Sequence, residues 1–149
     1  MSAAELFAHW QEVRRGLQRA LELLTDEQLE FVPRAGLWSL GQVARHIASA
    51  EEGWFQYAVR RQLSAWPEYT AEAYPSVASI QAVLDEVHQR TLSYLAGVEV
   101  AGLEHAIDMP WNETIPLRWI VWHVLEHEVH HRGEIYLMLG LMGMEAPDV

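Results

Sequence analysis

The chain has 149 residues, half of them hydrophobic and a fifth charged, the balance of one globular domain (1–149) able to bury a sizeable core. Asp and Glu outnumber Lys and Arg by 21 to 10, a formal charge of −11. That argues against a nucleic-acid partner, because phosphate binding calls for a basic footprint. There is no cysteine, so disulfides and thiolate metal sites are excluded, and any metal must be held by His, Asp or Glu.

The N-terminus has no basic segment running into an apolar one, and no run of about 20 apolar residues could span a bilayer. The expectation is a cytoplasmic protein with no membrane partner. Leu6, Trp10, Val13, Leu17, Ala20, Leu21 and Leu24 recur at threes and fours, which predicts a helix over 2–24 capped by Ser2 with Glu5. Residues 25–29 add a short turn, and Pro33, Gly36 and Ser39 punctuate a loop. Ser39 then caps a helix over 40–62, whose inward face is Leu40, Val43, Ile47, Ala50, Trp54 and Tyr57, with His46 on the same side. The aromatic, proline-containing stretch 64–75 either rims a pocket or crosses the end of a bundle.

Ser76 caps a third helix over 77–96, with Val77, Ile80, Val83, Leu84, Val87, Thr91 and Leu95 inward and His88 solvated. Residues 98–115 read as a long crossover with a short extended piece. Pro116 opens a last helix running to about Leu139, with Gly140 or Gly143 as its stop. Four helices of this length predict an all-α four-helix bundle, a fold that builds metal sites from side chains on facing helices.

The last helix carries the chemistry. Four of the eight histidines fall between 123 and 131. His123, His127 and His131 are four apart and climb one face. At ~100° per residue that face also carries Pro116, Ile120, Val124, Met138 and Leu141. Imidazoles on an apolar stripe must be paired or must bind something. The reading is that two of them share an ion with His46, at zinc–nitrogen distances of about 2.0–2.1 Å. Three imidazoles leave coordination positions open, as in a catalytic site. By spacing alone His127 is favoured, with His123 and His131 equal partners for it. Glu134, three residues beyond His131, is placed to orient an imidazole or to pair across helices, and His123 and His130 are further candidates to support the ligands. Imidazole suits zinc, nickel, copper and iron, with zinc or nickel expected. No side chain is assigned as catalytic; a metal-bound water or thiol would react. Trp119 and Trp122 are expected in the core or an interface.

His127-Glu128-Val129-His130-His131 also satisfies the H-E-x-x-H pattern of zinc proteases, with Glu128 as base. The extended pattern requires a histidine where Leu137 stands, so this reading is set aside.

Trp38-Ser39-Leu40-Gly41 through His46-Ile47, and His127-Glu128-Val129-His130-His131-Arg132-Gly133-Glu134, resemble the two signature segments of the DinB/YfiT-like superfamily, in order and spacing along the whole chain. The resemblance implies a four-helix bundle with one metal held by His46, His127 and His131, which decides against His123. Glu134 departs from the family's usual glutamine. The resemblance also implies a homodimer, for which Trp10 and Trp54 are candidate contacts, and a small-molecule substrate. Some members of the family are thiol-dependent enzymes using bacillithiol or mycothiol, where the metal would stabilise a cofactor thiolate. A bacillithiol-type S-transferase is therefore the first expectation. A metal-dependent hydrolase and a non-enzymatic metal-binding stress protein are the alternatives.

Overall fold

Four amphipathic stretches become four long helices in the computed structural model, which describes residues 1–149. The elements are α1 (Ala3–Leu6), α2 (Trp10–Glu22), α3 (Leu40–Glu52), α4 (Val77–Ala96) and α5 (Leu117–Leu141), with a two-stranded hairpin, β1 (Ala106–Asp108) and β2 (Thr114–Pro116), before α5. Helices α2 to α5 form the four-helix bundle. No helix is long and apolar enough to cross a membrane. Ser2, Ser39 and Ser76 each close a capping box. At α3, the one that carries His46, the Ser39 hydroxyl accepts from Gln42 N at 3.2 Å and Gln42 Oε1 accepts from Ser39 N at 2.8 Å.

The helix expected over 2–24 is broken at residues 7–9. Ala3 N donates to Val98 O at 2.7 Å and Val100 N to Met1 O, so the first turn is tied to the end of α4 and departs from the α2 axis. Leu6, expected inside, is consequently exposed. The helix expected over 40–62 continues past Glu52 as a π-helical segment, Gly53–Val59, and stops before Arg61, whose φ of 55° turns the chain away. The Trp66 indole lies directly on Gly53, where any Cβ would overlap it. Ser49 Oγ donates to Pro67 O at 2.7 Å. These contacts hold the 64–75 stretch along α3, where it rims a cleft rather than crossing the end of the bundle.

The core has two apolar lobes, one around Leu17, Ile47, Leu84 and Ile135, the other around Trp10, Phe55, Leu95 and Ile120. A charged layer separates them, with one residue from each long helix. Arg14 reaches Glu51 Oε2 at 2.5 Å and Glu128 Oε1 at 2.7 Å, and its Nη1 donates to Leu84 O at 2.6 Å. His88 Nδ1 lies 2.9 Å from Glu51 Oε1, and Trp10 Nε1 donates to Glu128 Oε2 at 2.6 Å. All five residues are buried. His88 is thus inside, not solvated: it stands four residues after Leu84 and three before Thr91, on the buried stripe, and it satisfies Glu51. Trp10 is buried too, and is no dimer contact.

Burial alone would push the Glu51 carboxyl up. Arg14 and the His88 hydrogen bond more than offset that and hold it down at about 2. A carboxyl lowered from its ordinary 4.5 contributes stability in full above that value and loses it as pH falls from there toward 2. Arg14→Leu should lower unfolding free energy by about 3–5 kcal/mol, because two buried glutamates lose their partner. Urea unfolding at pH 7 and at pH 3 checks both statements: the penalty should shrink at pH 3.

Candidate metal centre

His46 on α3 faces His127 and His131 on α5. Nε2 of His46 and Nε2 of His127 are 2.8 Å apart. Ring centroids are separated by 4.7 Å (46–127), 4.9 Å (46–131) and 4.4 Å (127–131). One nitrogen from each ring falls within 4.8 Å of the other two, and all three side chains are half-buried. Ligands of a tetrahedral ion at 2.0–2.1 Å stand roughly 3.3 Å apart, so the trio has the spacing to hold one.

The protonation state also suits a ligand set. Burial, and then the proximity of His131, His46, His123 and His130, push His127 down to about 3. His46 is lowered by burial and by His131, with Glu134 opposing weakly. Both rings are therefore neutral at neutral pH, as metal ligation requires. Glu134 Oε2 lies 3.0 Å from His131 Nδ1. A hydrogen bond donated by Nδ1–H to this carboxylate leaves Nε2 with its lone pair free. Glu134 Oε1 lies 3.0 Å from Nε2 of the exposed His130, which accounts for the second close group of donors, His130, His131 and Glu134.

His123, equivalent to His131 by spacing, stands apart. It stacks on Trp119 (4.7 Å, 8°) and meets the edge of Trp54 at 5.0 Å. Trp119 and Trp122 are exposed and not core, while Trp54 is half-buried among Trp66, Trp111 and Trp119. The buried arc of α5 is centred on Leu117, Val121, Val124, Glu128 and Ile135. The histidine face runs along its edge, and Leu141, placed on that face by the wheel, is exposed.

Sequence reasoning missed two features. Trp38 lies 4.9 Å from the His46 ring and stacks at 6.5 Å over His131, roofing the trio. The charged layer was also missed, although its members leave a signal. Arg14 follows Trp10 by four and precedes Leu17 by three, and Glu128 follows Val124 by four, so each is a charge on an apolar stripe. Glu128 is 1 % exposed, with both oxygens taken by Arg14 and Trp10. It is not a base at the histidine cluster, and the protease pattern is coincidental.

A DinB family model matches residues 1–149. The chain belongs to the DinB family. An uncharacterised Bacillus subtilis relative, YrdA, is 23 % identical over 143 residues, covering 94 % of this chain and 83 % of its own. A DinB-like protein from Bacillus cereus superposes with a TM-score of 0.79 at 24 % identity, over 99 % of this chain and 97 % of its own. YfiT from Bacillus subtilis, described as a probable metal-dependent hydrolase with an unusual four-helix bundle topology, superposes at 0.74 with 23 % identity, over 96 % and 89 %.

The depressed His127 and His46 values make a pH prediction for the metal-free protein. Their folded forms favour the neutral ring, so their contribution is present above the ordinary imidazole value of 6.5 and is lost as pH falls from there toward 3. Nitrogen-15 NMR of the histidine rings at pH 5 should find His127 uncharged. A protonated His127 at pH 5 would contradict this geometry.

Proposed function

We propose that this DinB protein is a divalent-metal-dependent hydrolase of small esters or amides, with the ion held by His46, His127 and His131. The observation that carries the reading is the convergence of three imidazoles, two of them held neutral, from two facing helices, under Trp38 and beside two open clefts. The description of YfiT as a metal-dependent hydrolase agrees with it.

When bound, a divalent cation polarises a carbonyl and acidifies water. The chain's own part is positional. The capping box at Ser39 starts α3 at the level that brings His46 against His127. Glu134 fixes the ring and tautomer of His131. Trp38 screens the trio from bulk water and leaves access from either side. An S-transferase would use the same imidazoles with a thiol on the ion, but no cleft residue selects for a thiol, so the simpler hydrolytic reading is preferred.

Elemental analysis of protein purified without added metal should find about one zinc or nickel per chain, and His46→Ala or His127→Ala should abolish it. Glu134→Leu should weaken the metal about 10–100-fold in chelator competition, as loss of a partner to a ligating histidine does. Metal-loaded protein should hydrolyse 4-nitrophenyl esters without any thiol. Turnover of monochlorobimane that appears only with bacillithiol, with no ester hydrolysis, would replace the hydrolase reading by the transferase one. Absence of metal at native stoichiometry would remove both.

A further inference from the structure

The two clefts that meet at Trp38 differ in chemistry. One, of about 530 Å³, lies over His46 and is lined by polar side chains including Gln42, Arg45, Ser49 and Thr70. The other, of about 510 Å³, lies over His131 and is lined mainly by apolar side chains, Leu37, Val43, Leu137 and Met138, with Glu134 beside His131. Trp38 is in the wall of both. Each is large enough for part of a small ligand. A molecule crossing the imidazole trio therefore has a polar end on one side and an apolar end on the other.

Arg45 gives the polar cleft its selectivity. It is 4 % exposed, and its Nε donates to Tyr74 O at 2.8 Å. Arg14 and Arg90 are each paired with glutamate. Arg45 has no such partner: Glu30 acts on it only from longer range, and Glu68, on the cleft rim, forms no ion pair with it. Gly41 leaves room for the guanidinium, since a Cβ there would stand 3.0 Å from Nη1 and 3.2 Å from Nη2. A guanidinium drawn out of water without a counter-ion is unfavourable. Its planar fork matches a carboxylate.

We propose that the site takes an amphipathic carboxylate, such as an N-acyl amino acid, whose carboxylate is anchored by Arg45 and whose acyl chain lies against Leu37, Val43, Leu137 and Met138. The bond at the imidazole trio is then the amide between these two ends. Cleavage adds water across it: the acyl C–N bond breaks, an acyl C–O bond forms and the nitrogen takes up a proton, giving a fatty acid and an amino acid. The cleavage rests on the hydrolase reading, whereas the two anchoring contacts do not.

Calorimetric titration of N-octanoylglycine and its neutral amide, N-octanoylglycinamide, into metal-free and zinc-loaded protein tests this. The carboxylate should bind about tenfold tighter in both forms, as expected for one added charge-assisted pair. Arg45→Met should abolish the preference and Arg45→Lys should keep part of it. Leu137→Gln, at a position 65 % exposed and so tolerant of change, should weaken both probes alike. If Arg45→Met does not fold, the lysine and Leu137 variants decide. Equal binding of the two probes, no binding of either, or a preference that requires zinc and survives Arg45→Met overturns the proposal. If N-octanoylglycine binds as described but zinc-loaded protein leaves it intact, the amide-cleavage step fails and the anchoring stands; the hydrolase reading itself falls only if 4-nitrophenyl esters are not hydrolysed either.

Discussion

A single guanidinium ties the bundle together. Arg14 enters from α2, binds Glu51 of α3 and Glu128 of α5, and donates to a carbonyl of α4. Apolar packing alone tolerates sliding of one helix past another, because leucine against leucine is similar a turn higher or lower. A buried charge set does not, since a shift of one turn leaves carboxylates in the core without partners, a penalty of several kcal/mol. The layer sits at the boundary of the two apolar lobes and so fixes the register of all four helices at one level.

That register is the one the histidine cluster needs. Glu51 lies five residues from His46 and Glu128 is the neighbour of His127, so the layer and the cluster belong to the same stretch of the α3–α5 contact. The two groups of charges are kept distinct by helix geometry. Successive residues on α5 point ~100° apart, so His127 faces the cleft while Glu128 faces Arg14. The carboxylates of the layer are paired within it, and His46 and His127 beside it are held uncharged by burial and by neighbouring imidazoles. The formal charge of −11 for the whole chain favours approach of a cation.

Much of this was readable from the residues. The serine caps and the spacing of the apolar positions located α3 to α5 to within a few residues, except where α3 runs on as a π-helix to Val59. That segment has no periodic signature in sequence, and neither does the break at residues 7–9, which depends on a contact with Val98 some ninety positions away. For the site, four-residue spacing brought His127 forward but could not separate His123 from His131, because both are one turn away. The family resemblance favours His131, and the tertiary surroundings supply the physical distinction. His123 has an indole to stack on, and His131 has Glu134 and the facing His46. The spacing of His88 from Leu84 and Thr91 puts it on the buried stripe; what single-helix periodicity does not carry is its partner, Glu51, on another helix.

The glutamate of the H-E-x-x-H pattern shows how far such a motif can mislead. In a zinc protease its carboxylate must stand beside the ion, free to take a proton. Here both oxygens of Glu128 are committed within hydrogen-bond distance to Arg14 and Trp10, in a buried layer on the other side of the helix. Freeing the carboxylate would break the contact that sets the bundle's register, so this residue cannot alternate between structural and proton-transfer roles. Proton handling at the trio must therefore fall to groups that reach the clefts. Glu134 is one, but it already holds His131 and His130. Glu68, a carboxylate on the rim of the polar cleft, is another, beside hydrogen-bonding side chains and the guanidinium of Arg45. On the proposed reading these groups would bind and orient a substrate, and the activation of water would fall to an ion held by His46, His127 and His131.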